Sequence, residues 1–301
     1  MTINRPRPLR LSGHVKDLGG GFVVRRMLPS LQCRAIGPFM FFDHFGPVKV
    51  VPQSQIDVRP HPHIGLSTVT YLFEGAMMHR DNLGSEQLIE PGAINWMTAG
   101  RGVVHSERRP QHLARSSYVN HGIQLWAALP LAHEQTEPSF THTPESQIPQ
   151  LRVDDAEVRV LIGSAYGHRS PVKTFTETLY LDIQLGPGGG LELPAWEHET
   201  AVYTVDGDVM LAQEFIPCHT LAMLEPRHTT QVNNASKNDP LRLIVMGGMP
   251  LDAPRHLWWN FVASDTALIE RAAQRWEDRT MGSVPGDDEF IPLPERYVRR
   301  R

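Results

Sequence analysis

The stretch Ser67-Thr68-Val69-Thr70-Tyr71-Leu72-Phe73-Glu74-Gly75 is dense in β-branched and aromatic residues and stops at an acidic residue followed by glycine. That composition reads as a strand closed by a turn. A second stretch, Glu199-Thr200-Ala201-Val202-Tyr203-Thr204-Val205-Asp206-Gly207, can be laid over it without gaps, Ser67 on Glu199. Tyrosine, an acidic residue and glycine recur in register. The polar segment between them, Pro130 to Pro149, has no strand pattern and reads as a linker. Recurrence of one pattern on both sides of a linker points to two related β-barrels in one chain.

Working outward, strand signals dominate up to about residue 260. Leu179, Leu181, Ile183 and Leu185 alternate with Tyr180, Asp182 and Gln184, the period of a strand with one buried face. Val158 to Ile162 and Leu241 to Met246 are further short apolar runs between turn residues. Turns are frequent, as at Pro91-Gly92, Gly100-Arg101-Gly102 and Gly247-Gly248, and the spacing favours an all-β chain over alternating βαβ units. The period changes near the end. Leu268, Ala272 and Trp276 lie four apart, predicting a helix over Asp265 to Arg279 capped by Asp265 or Thr266. The Pro- and Gly-rich tail from Met281 is expected to be extended. The expected division is a first barrel over 1–135, a second over 150–264, and a helix with extended tail over 265–301.

Composition narrows the function. The chain has 301 residues, a net charge of −4, 41% hydrophobic and 21% charged residues, an ordinary globular balance without the basic excess of a nucleic-acid binder. Two cysteines, Cys33 and Cys218, are too few for a disulfide scaffold. No apolar run approaches the ~20 residues of a membrane span, and Met1 to Arg10 lacks the apolar core of a signal peptide. A cytoplasmic protein is expected.

Histidine is abundant, at 15 residues. His61-Pro62-His63 and His105-Ser106-Glu107 are both spaced i, i+2, which on a strand puts both side chains on one face. A lone His-x-His is commonly a surface pair. Two such pairs facing one interior would gather three imidazoles and a carboxylate. That donor set suits one divalent transition metal per chain, Fe, Zn, Cu, Ni or Mn, with positions left open for chemistry. Asp43 and His44 are candidates for orienting a ligand by hydrogen bond. Phe41, Phe42, Phe45, Trp96, Met97 and Trp126 are candidates for an apolar pocket, and equally for core. His112, His121, His133, His142, His168, His219, His228 and His256 read as surface or satisfied core. Gly19-Gly20-Gly21 and Gly188-Gly189-Gly190 read as turns because no Lys-Ser or Lys-Thr follows them. The terminal Arg299-Arg300-Arg301 run reads as solvated charge.

Phe42-Asp43-His44-Phe45-Gly46-Pro47, His61-Pro62-His63-Ile64-Gly65, Thr68 to Gly75 and the long string Asn95-Trp96-Met97-Thr98-Ala99-Gly100-Arg101-Gly102-Val103-Val104-His105-Ser106-Glu107 strongly resemble the pirin family. Gly122-Ile123-Gln124-Leu125-Trp126 and Trp258-Trp259-Asn260-Phe261-Val262 continue the resemblance. It implies a bicupin, two antiparallel jelly-roll β-barrels, with a metal, usually iron, in the first. It carries the metal ligands onto His61, His63, His105 and Glu107. It also implies a dioxygenase that cleaves a flavonol such as quercetin with O₂, so a small planar aromatic substrate, with Glu107 taking the proton of the substrate hydroxyl. The alternative it implies is a redox-sensitive regulator acting through a protein partner. Two barrels in one chain are compatible with a monomer. Ungapped, Leu193 and Ala195 fall opposite His61 and His63, so the second barrel is expected to be metal-free. Many pirins follow His-x-His with Arg-Gly-Phe-Glu. This chain has Ile64-Gly65-Leu66-Ser67, which alters the charge beside the site.

Overall fold

The computed structural model describes residues 8–18 and 22–295. Gly19-Gly20-Gly21 and Arg299-Arg300-Arg301 lie outside the described residues. The chain divides into two compact units, one of Lys16–Val24, Asp43–His142 and Leu251–Arg301, the other of Met1–Val15, Arg25–Phe42 and Thr143–Pro250.

The strands that carry the metal candidates belong to two antiparallel sheets in the jelly-roll layout. In the larger, seven strands run in the order Ser139–Thr143, Ile94–Thr98, Leu66–Glu74, Tyr118–Ala128, Phe39–Val50, Val23–Leu28 and His14–Asp17. The smaller orders Val58–His63, Val103–Arg108, Met77–Asp81 and Glu86–Ile89. Val58–His63 is an edge strand, which is why it tolerates Pro60 and Pro62, residues with no N–H to give to a ladder. Gly65, at φ +68°, turns the chain from this strand into Leu66–Glu74. Its N–H donates to Gly100 O at 2.8 Å and its carbonyl accepts from Leu129 N at 3.0 Å.

The other unit repeats the plan. Its seven-stranded sheet orders Arg10–Leu11, Leu221–Met223, Glu199–Thr204, Leu241–Gly248, Thr178–Leu185, Ala156–Ile162 and Gln150–Val153, and its four-stranded sheet orders Gly190–Leu193, Thr230–Asn234, Val209–Leu211 and Glu214–Ile216. Glu199–Thr204 lies between a shorter and a longer antiparallel neighbour, as Leu66–Glu74 does. The overlaid stretches therefore occupy matching places. Leu191, Leu193, Leu211 and Val232 are buried in one apolar cluster, and Leu191 pairs with Val232.

Two sequence expectations give way. Thr178–Leu185 was expected to bury one face, yet Tyr180 and Asp182 are buried too. Tyr180 packs against Phe39 at 6.4 Å between ring centroids, and Asp182 lies 3.4 Å from the Arg242 guanidinium. Partners distant in sequence cover the alternating residues. The segment after Pro130 is also not a free linker. Ser139–Thr143 forms an edge strand, with the alternating burial of its Phe140 and His142. Upstream of it, the Ser264 hydroxyl donates to Glu134 at 2.6 Å and Arg101 N to Thr136 O at 3.0 Å.

The helix spans Thr266–Glu277 and Asp265 caps it, accepting from Ala267 N at 2.9 Å. Ile269, Ala272, Ala273 and Trp276 are its buried face. They pack with Ile64, Val104 and Phe261. Among the described residues, up to 295, the tail beyond the helix carries no regular strand and is tied down at several points. Asn82 donates to Met281 O at 3.0 Å, Arg108 holds Asp287 through two hydrogen bonds of 2.9 and 2.7 Å, and Ile291 N donates to Pro60 O at 2.9 Å. The tail thus runs beside the strand that carries His61.

Candidate metal centre

His61 and His105 face each other across the antiparallel pair of Val58–His63 and Val103–Arg108, and His63 lies one pleat further on the same face. The three residues are buried, at 6%, 2% and 1% exposure for His61, His105 and His63. One ligating atom from each lies within 4.8 Å of the other two. His61 Nδ1 faces the Arg59 carbonyl at 2.8 Å and His63 Nδ1 faces the Asn260 carbonyl at 3.1 Å. A carbonyl only accepts, so each Nδ1 carries its proton and each Nε2 keeps its lone pair. His105 Nε2 is buried without a hydrogen-bond partner. A buried, orphaned imidazole nitrogen beside two others is what a metal ligand looks like before its ion is placed. Three such nitrogens fit a divalent transition metal.

Electrostatics favour the same reading. Burial holds His61 down to about 4, partly offset by the Arg59 carbonyl. Burial, then the neighbouring imidazoles, hold His63 and His105 well below the ordinary histidine range. All three are neutral at pH 7, so a metal need not displace protons. A stability consequence follows. Between the unfolded value of 6.5 and about 4, the unfolded chain takes up a proton at His61 that the native state refuses. Stability is therefore present above pH 6.5 and lost as pH falls, on the order of 3 kcal/mol for His61 alone. Thermal unfolding of the metal-free protein from pH 7.5 to 4.5 should show Tm falling through this window. A flat profile would contradict neutral burial.

Glu107 is not part of the 4.8 Å group. The register with Val58–His63 slips between His105 and Glu107, so that Glu107 pairs with Val58, and on the other side it pairs with His79. Burial pushes its carboxyl above the ordinary range, while His79 and the Thr70 hydroxyl pull it back. The Thr70 hydroxyl stands 3.5 Å from Glu107 and 2.8 Å from Gln124 Oε1.

His44 Nε2 meets His121 Nε2 at 2.8 Å, with Phe73 against both rings. Asp43 is buried. Trp126 touches the cluster, its ring edge-on to His63 at 5.0 Å. Phe42 packs on Tyr203, Phe41 lies under Arg26, and Phe45 packs on Phe22. Trp96 and Met97 are buried as well, and all five belong to the core.

Sequence reasoning missed His79 and Asp81, which are 2% and 0% exposed. His79 Nδ1 lies 3.4 Å from His105 Nδ1, and His79 Nε2 lies 3.1 Å from Asp81 Oδ2. The signal was there: Met77, His79 and Asp81 have the same i, i+2 spacing as the ligand pairs. The second unit has a cavity of about 1240 Å³ lined by Arg169, Lys173, Trp196 and His198 among others. His198 there is paired with Glu177 at 2.8 Å, and among the described residues no metal-ligating cluster lines it.

Comparison with known proteins agrees with this architecture. Residues 21–127 match the family model described as Pirin, and residues 180–282 match the Pirin C-terminal cupin domain. A pirin-like protein of Caulobacter vibrioides is 40% identical over 285 residues, covering 93% of this chain and 96% of the relative. Human pirin is 36% identical over 262 residues, 84% of this chain and 86% of that one. The crystal structure of quercetin 2,3-dioxygenase from Acinetobacter baumannii superposes with a TM-score of 0.90 at 32% identity, covering 98% and 97% of the two chains. Two family models, one on each repeat, and a relative matched over nearly its whole length leave one conclusion: this chain belongs to the pirin family and has its two-cupin, all-β fold.

Proposed function

We propose that this chain is a metal-dependent dioxygenase that opens the heterocycle of a flavonol of the quercetin type with O₂, and that its metal is iron. The observation that carries the reading is the buried cluster of His61, His63 and His105, with neutral rings and an orphaned Nε2. The 0.90 superposition on a quercetin 2,3-dioxygenase supports the substrate class. In this reading His61, His63 and His105 hold the ion in the barrel of residues 1–135, with Glu107 as fourth ligand, and the barrel of residues 150–264 carries none. When bound, the ion supplies Lewis acidity towards a substrate hydroxyl and a site for O₂. The chain's own groups do the rest. Glu107, held only loosely as a ligand, accepts the proton of the flavonol 3-hydroxyl, a task matched to a carboxyl whose burial makes it a stronger base. Trp126 offers an aromatic edge against His63 for a planar substrate. The tail at Asp287 to Ile291 screens the His61 strand from water.

The test is oxygen uptake with quercetin by iron-loaded protein. Quercetin loss matched by O₂ consumption, and absent from the metal-free protein, is expected. Equal quercetin loss with and without metal, or none with iron bound, would overturn the enzymatic reading.

A further inference from the structure

We infer that His79 and Asp81 are positioning residues that decide which nitrogen of His105 keeps its lone pair, and so whether His105 can serve as a ligand. The inference rests on the metal reading above. His61 and His63 need no such help, because the carbonyls of Arg59 and Asn260 dictate their tautomers. His105 Nδ1 instead faces another imidazole nitrogen, His79 Nδ1, at 3.4 Å. Two ring nitrogens share one proton, and either can be the donor.

Asp81 breaks the tie. Its Oδ1 accepts from Leu83 N and Ser85 N, both at 2.9 Å, which pins the carboxylate and turns Oδ2 to His79 Nε2 at 3.1 Å. A carboxylate accepts, so the His79 proton sits on Nε2 and its Nδ1 is bare. A bare His79 Nδ1 accepts from His105 Nδ1–H, which leaves His105 Nε2 with its lone pair, the nitrogen found without a partner. Stacking on Phe140, with centroids 4.2 Å apart and planes 15° from parallel, holds the His79 ring in place. The chain Asp81, His79, His105 is thus a carboxylate–histidine–metal arrangement lengthened by one imidazole.

The arrangement makes an unusual prediction. Asp81→Asn is isosteric, yet the two backbone N–H groups would hold its amide oxygen and turn its NH₂ to His79. His79 Nε2 would then accept, its proton would move to Nδ1, and His105 would be left with its proton on Nε2. His79→Gln keeps an acceptor oxygen for His105, whereas His79→Phe removes it and preserves the stack on Phe140. The measurement is Co²⁺ affinity by chelator competition, with NMR of the Co²⁺-loaded proteins and melting of the metal-free ones. Wild type should show three shifted, exchangeable ring N–H signals, one per ligand histidine. Asp81→Asn and His79→Phe should stay folded and lose roughly 10–100-fold in affinity. Asp81→Asn should also lose the His105 Nδ1–H signal, and His79→Gln should bind like wild type. Wild-type affinity with three signals in Asp81→Asn would overturn the inference and leave the metal site standing. Failure of the wild type to take up Co²⁺ would remove both.

Discussion

The His61→Ala, His105→Ala double variant is expected to purify folded and with less than about a tenth of the wild-type metal. Loss of a group that merely orients a ligand costs about 10–100-fold in metal affinity. Here two of the three nitrogens within 4.8 Å are removed, and His63 alone is no chelate. Metal content by mass spectrometry, on protein prepared with and without air, measures the effect. Quercetin turnover should vanish with the metal. Folding should survive, because the imidazoles contribute no strand hydrogen bonds and the ladder pairs His61 with His105 through the backbone. The acid sensitivity supplies an internal check. Two of the three proton-refusing histidines are gone, so the decline of Tm between pH 6.5 and 4 should be shallower than in the wild type. A double variant that keeps full metal would mean that the ion sits elsewhere, and one that keeps the wild-type acid profile would mean that other groups govern it.

Gly65→Ala is expected to be among the most damaging single changes in the first unit. Gly65 has φ +68°, where an alanine costs about 1–2 kcal/mol. The larger difficulty is space. A Cβ there would stand 1.9 Å from the Val262 carbonyl oxygen and 2.9 Å from its carbonyl carbon, both backbone atoms. The strand Phe261–Ala263 would have to withdraw, breaking the Val262 N to Ile64 O hydrogen bond of 3.2 Å and parting Ile64 from Phe261 in their shared core. Together these put the cost at about 4 kcal/mol or more, in the range reserved for backbone strain and core disruption. Tm should fall by roughly 10 °C. His63 lies two residues before Gly65 and leans on the Asn260 carbonyl, so metal affinity should fall as well. A Tm within 2–3 °C of wild type would show that Phe261–Ala263 yields freely, contrary to its burial.

The two predictions draw on different kinds of knowledge. His61, His63 and His105 were legible from spacing, because the period of a strand is a local property and survives into the fold unchanged. The repeat was legible for the same reason: Leu66–Glu74 and Glu199–Thr204 carry similar residues because they fill matching places between neighbouring strands. The helix followed from a local period of nearly four, and of the two cap candidates, Asp265 and Thr266, the structure uses Asp265. Glu107 is a different case: its spacing from His105 equals that of His61 from His63, its carboxylate is not among the atoms within 4.8 Å of one another, and the register slips beside it. A slip is set by two strands together, and one strand's residues do not reveal it.

Other differences have the same origin. Tyr180 and Asp182 look solvent-facing until Phe39 and Arg242 cover them. The segment after Pro130 looks free until Ser264 and Arg101 bind it. His44 finds a partner in His121, 77 residues further along the chain. Residue type and spacing were enough for the strand-rich two-part architecture, the family likeness and the three histidines, since each is written in contiguous or evenly spaced residues. Tertiary pairing alone determined what stands behind each ring: Arg59 and Asn260 carbonyls for two of them, and for the third His79 with Asp81 beyond it. Asn260 is nearly two hundred residues from His63, and only the folded chain brings its carbonyl within 3.1 Å. Hydrogen-bond direction then converts that proximity into a choice of tautomer, which no local window of sequence contains.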